Sequence, residues 1–100
     1  MPKTVKFDST VTGGGIVNLD VFIQSTLVSS PGMVVHYSQS LSDSTLIVKY
    51  QISGANGSGY TIKYACTSNG ASKSDPANPT DVTGSIISGG YIEVILNIPL

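Results

Sequence analysis

The sequence predicts an all-β fold: a single antiparallel β-sandwich or small barrel of about seven strands over residues 1–100. Three observations predict it. Val, Ile and Thr number 29 of the 100 residues; their branched Cβ loses rotamer freedom in a helix and packs well on a pleated sheet. Strong helix formers are scarce, with four Ala, three Gln, one Glu and no Arg, so helix propensity is poor over any long window. Apolar residues recur at every second position in one segment after another, the period of a strand with one face buried.

Residues 4–12 place Val5, Phe7 and Val11 on one side and Lys6, Asp8, Thr10 and Thr12 on the other. Gly13-Gly14-Gly15 ends that strand. In 16–24, Val17, Leu19, Val21 and Ile23 alternate with Asn18, Asp20, Phe22 and Gln24, and Leu27 extends the inward row. Ser30-Pro31-Gly32 is a turn, since Pro presets φ and Gly accepts a positive one. Residues 33–37 form a short strand with Met33, Val35 and Tyr37 on one face, and 38–44 read as a loop. Leu46, Val48, Tyr50 and Ile52, then Tyr60, Ile62, Tyr64 and Cys66, form two matched rows around GANGSG. They read as a hairpin, with Lys49 and Lys63 outward. Residues 68–81 read as the longest loop. The segments 82–88 and 91–98 flank Gly89-Gly90 as a closing hairpin, with Ile92, Val94, Leu96 and Ile98 on one face and Pro99 at the end.

Chemistry has few parts here. There is one His, one Cys, one Glu and no Arg or Trp, so no catalytic residue, cofactor site or metal site is expected. His36 sits outward, with no triad-like Ser, Cys or acid spacing around it. Cys66 falls in an inward row, and nothing basic nearby lowers its pKa. Asn69, Asp75, Asn78 and Asp81 match no calcium loop and read as a solvated, turn-rich loop. Gly13-Gly14-Gly15 leads into a strand and GANGSG is followed by no Lys-Ser/Thr pair, so neither is a phosphate loop. Asn56-Gly57-Ser58 reads as a turn. Tyr37, Tyr50, Tyr60 and Tyr64 fall on core rows, leaving Phe22 and Tyr91 as the outward aromatics.

The net charge of −1 points to no nucleic-acid or anionic-membrane partner. No run of 18 apolar residues crosses a membrane. The N-terminus lacks a basic stretch followed by an apolar one, and a lone Cys66 makes no internal disulfide. Synthesis in the cytoplasm, without a signal peptide, is the expectation.

Tyr64-Ala65-Cys66 resembles the Tyr-x-Cys of immunoglobulin strand F, although the partner Cys and core Trp of that pattern are missing; the likeness implies a sandwich and no receptor role.

Only 11% of residues are charged, against about 25% in ordinary soluble domains. Outward positions instead carry Phe22, Ile47, Ile87, Tyr91 and Ile95, and the chain closes on an apolar Leu100. Such positions imply contact surfaces, so these six are the expected interface of a homo-oligomer or of a subunit in a larger shell. In composition the whole chain resembles phage virion structural proteins, the capsid cement or decoration proteins and small tail or fibre modules. The resemblance implies a non-enzymatic protein, made in the host cytoplasm and located in the virion. It would sit on capsomer junctions, often as a trimer, bound to itself and to the major capsid or another virion protein. The alternative is a β-sandwich module binding a carbohydrate or cell-surface ligand.

Overall fold

A computed structural model describes residues 2–28, 30–77, 81–86 and 89–100. Among these, nine strands follow in order: β1 Lys3–Thr12, β2 Ile16–Ile23, β3 Thr26–Val28, β4 Val34–Leu41, β5 Thr45–Gly54, β6 Gly59–Ser68, β7 Ala71–Lys73, β8 Asp81–Ser85 and β9 Tyr91–Pro99. They form two antiparallel sheets packed face to face, a β-sandwich. One sheet runs β4-β1-β6-β7, with β8 also paired to β6; the other runs β3-β2-β5-β9. A 3₁₀ turn, Pro31–Met33, leads into β4, with Gly32 at φ +63°.

Alternation explains the core. Val5, Phe7 and Val11 of β1, Leu46, Val48, Tyr50 and Ile52 of β5, Ile62 of β6, and Leu96 and Ile98 of β9 are all sealed from solvent. Burying each such side chain contributes roughly 1.5–3 kcal/mol. Tyr50, the largest of them, keeps its hydroxyl satisfied: it lies 2.6 Å from the Ser9 Oγ, which itself donates to the Lys63 carbonyl at 3.0 Å.

Six expectations are corrected. The matched rows around GANGSG are not a hairpin, because β5 and β6 lie in different sheets and face each other through the core. The closing hairpin fails for the same reason: β8 pairs with β6, and β9 with β5. Gly15 and Gly54 permit the tight crossings, since a Cβ on either would collide with the neighbouring connection.

Val17 does not point inward but is 84% exposed. The β2–β5 register slips between Ile16 and Asn18, and this bulge turns Ile16 toward the core and Val17 out. Leu27 does not extend the inward row either. Gln24 and Ser25, at φ +51° and +65°, make a two-residue turn of the kind right-twisted hairpins favour, and the returning strand leaves Leu27 60% exposed. The Gln24 amide fixes that turn: it donates to the Thr45 carbonyl and accepts the Ile47 N–H, at 2.9 and 2.8 Å.

Residues 38–44 are not all loop, because β4 continues to Leu41. Nor is 68–81 an unbroken solvated loop. Asn69-Gly70, at φ +52° and +82°, turns the chain into β7. Beyond it Asp75 is buried, accepting the Ala77 and Asn97 N–H groups at 2.8 and 2.9 Å, while its own N–H donates to the Tyr64 hydroxyl at 3.0 Å.

Candidate interaction face

The outer side of the four-stranded sheet holds most of the exposed large apolar side chains among the described residues. Register sets Leu27 beside Phe22, Phe22 beside Lys49 and Lys49 beside Ile95, a row crossing all four strands. Two residues along β5 from Lys49, Ile47 joins its edge. Leu27 is 60% exposed, Ile47 46% and Ile95 45%. The Lys49 ammonium sits 5.2 Å from the centre of the Phe22 ring. Its stem therefore lies along the row, and its charge rests against an aromatic face instead of breaking the apolar band.

The next row is polar: Asp20, Gln51 and Glu93 stand side by side. The row after it ends in Tyr91, whose hydroxyl donates to Glu93 Oε2 at 3.3 Å. One face thus presents an apolar band carrying one cation, bordered by two carboxylates.

The structure places Phe22, Ile47, Tyr91 and Ile95 together on this face. Leu27 belongs with them; reading an unbroken inward row through the Gln24–Ser25 turn hid it. Leu100 does not join. It is half-buried against the core, with its N–H bonded to the Ser44 carbonyl at 2.9 Å, because it continues the β9–β5 ladder one residue past Pro99. Ile87 lies outside the described residues.

The opposite face, on the five-stranded sheet, is hydroxyl-rich. Here His36 has an acidic partner that the sequence reading did not foresee: antiparallel pairing sets it across from Asp8, with Nδ1 2.7 Å from Oδ1. The pair is largely solvent-exposed and borders a shallow cavity of about 300 Å³ shared with Thr10, Val34, Lys63 and Ala65. Ser9, the hydroxyl next along β1, points into the core and is bound to Tyr50 and Lys63. Cys66 is buried, and that burial pushes its thiol up to about 11, which keeps it protonated at neutral pH. Among the described residues no three His, Cys, Asp or Glu side chains converge in a metal-binding group.

No protein-family model, curated protein or solved structure matches this chain, so its own geometry carries the functional reading.

Proposed function

We propose that the chain is a non-enzymatic structural subunit of a virion, a capsid cement or decoration protein that strengthens capsomer junctions through contacts with copies of itself and with the capsid. The observation that carries the reading is the Leu27–Phe22–Ile95 band, with Ile47 beside it, on a chain of which only 11% is charged. A solvated monomer gains nothing from such a band, whereas an assembled subunit removes it from water. With strands about 4.8 Å apart and residues about 3.3 Å apart, a four-stranded face offers on the order of 500 Å². Two such surfaces meeting cover roughly 1,000 Å², the lower bound of a specific interface.

The test is co-sedimentation of purified protein with capsids of the phage that encodes it, and heat release of packaged DNA with and without it. Binding that saturates at a fixed ratio to capsomers supports the proposal; absence of binding to any virion particle overturns it. A second reading, a carbohydrate-binding module, draws on the exposure of Tyr91 beside Glu93 and Gln51, an aromatic next to hydrogen-bonding groups. Retention on immobilised polysaccharide, abolished by Tyr91→Ala, would favour it instead.

A further inference from the structure

Strand β9 is the last strand of its sheet, and its backbone can be read residue by residue. The Gly54 N–H donates to the Gly90 carbonyl at 2.9 Å, and the Leu100 N–H to the Ser44 carbonyl at 2.9 Å. Even-numbered residues therefore turn their peptide groups toward β5. The Asn97 N–H points the other way, to Asp75 Oδ2 at 2.9 Å. Peptide groups alternate sides along a strand, so Tyr91, Glu93 and Ile95 direct theirs away from β5 as well. Among the described residues nothing pairs with these three, whereas Asn97 is capped by the buried Asp75.

Side-chain burial divides at the same point. Leu96 and Ile98, inward on the capped half, are fully buried. Ile92 and Val94, inward on the uncapped half, remain only partly buried. Between Tyr91 and Ile95, then, no described residue gives the sandwich a hydrogen-bonding neighbour or the apolar side chains that neighbour would bring. The missing piece is an extended strand with an apolar residue at every second position.

We propose that a second copy of this chain supplies it, its β9 pairing antiparallel with the first along Tyr91–Ile95 about a two-fold axis at Glu93. The proposal rests on the assembly reading above and names one contact within it. β9 fits its own vacancy. In this register Ile92 of each copy meets Val94 of the other on the core side, and Tyr91 meets Ile95 on the outer side, an aromatic–β-branched pair that antiparallel sheets favour. All three outward peptide groups are used and Asn97 keeps its bond to Asp75. The two four-stranded sheets become one of eight, and their apolar bands lie on one continuous face. The contact is self-complementary, as a two-fold interface must be. It also sets Glu93 against its own copy, and like charges directly opposed weaken a strand pair.

Sedimentation across a wide concentration series tests this, alongside amide exchange by NMR. The wild-type chain should form a dimer, and protection of the Tyr91, Glu93 and Ile95 amides should rise with concentration. Glu93→Gln should tighten the dimer several-fold by removing the opposed charges. Glu93→Pro should weaken it roughly tenfold or more, since Pro deletes an edge N–H while sparing the β5 ladder. A dimer that survives Glu93→Pro overturns the proposal, as does a chain that is monomeric at every concentration both as wild type and as Glu93→Gln. If Glu93→Pro fails to fold, the exchange data decide: a dimer without concentration-dependent protection at 91, 93 and 95 rejects β9 pairing. Capsid binding is scored separately, so loss of the dimer with capsid binding intact rejects this contact and leaves the assembly reading standing.

Discussion

The Tyr50 hydroxyl donates to Ser9 Oγ across the two sheets. The direction follows from counting protons, because Ser9 spends its only one on the Lys63 carbonyl. Ser9→Ala should leave a buried phenol without its acceptor and cost about 1–3 kcal/mol. Tyr50→Phe in the same background should recover much of that loss, because removing both partners leaves neither group unsatisfied. A double-mutant cycle by urea unfolding measures the coupling.

The bulge in β2 predicts unequal tolerance among apolar residues. Leu46→Ala should cost about 2–5 kcal/mol, since Leu46 is completely enclosed. Val17→Ala should stay within about 0.5 kcal/mol, since Val17 is the most exposed large apolar residue among those described. Denaturant midpoints decide; a large loss at Val17 would mean that the bulge turns the other way.

On the candidate interaction face, Leu27→Lys and Ile95→Lys should each weaken the capsid attachment proposed above while leaving the far-UV spectrum and melting temperature nearly unchanged. Each adds a charge to the outer band without entering the core. Leu100→Lys should instead lower stability, because Leu100 packs against the core.

Asp75→Ala should destabilise by about 1–3 kcal/mol, leaving the Ala77 and Asn97 N–H groups without their acceptor. Calorimetry measures the loss. Amide exchange should localise it to β9 near Asn97.

Cys66 gives a pH signature. Its thiol is raised by burial from an ordinary 9.0 to about 11, so between those values the unfolded chain loses the proton and the native one keeps it. Stability should therefore be fully present below pH 9 and fall as pH rises toward about 11. Cys66→Ala should make that part of the profile shallower in a series of urea melts, the remaining slope belonging to tyrosines whose hydroxyls burial also raises. Below pH 9, alkylation of the native thiol should be slow and should track unfolding.

Strand positions were legible in the sequence because burial of one face imposes period two. Val5, Phe7, Val48 and Ile62 could be assigned inward from that rule alone. Which strands neighbour one another could not be read the same way. A hairpin and an arch that crosses the core give the same alternation, since both aim their apolar side chains at one interior, and β5–β6 is an arch. The β2–β3 turn was hidden for a different reason. Gln24 and Ser25 are not the Asn-Gly or Gly-Gly that usually mark positive φ, and they are held there by amide contacts to Thr45 and Ile47, 21 to 23 residues away. Asn69-Gly70 did carry the usual mark, but the short polar β7 after it has no apolar period to announce it. On the candidate face, Phe22, Ile47, Tyr91 and Ile95 were visible as outward apolar positions. The pairing of His36 with Asp8, and the burial of Asp75 against β9, depend on register and could not be seen.

The repeated crossing of the chain from one sheet to the other, at β1–β2, β3–β4, β4–β5, β5–β6 and β8–β9, also governs when the structure can form. β1 finds no β-partner until β4 exists, and its second partner, β6, begins some fifty residues after β1 ends. The edge of β5 is closed only by the final nine-residue strand. During synthesis, most of the chain must leave the ribosome before its interior can be enclosed. Topologies dominated by such distant pairings fold on the millisecond-to-second scale instead of in microseconds. Until β9 arrives, the apolar edge of β5 stands open, so nascent chains crowded on one message are where premature strand exchange between copies would begin.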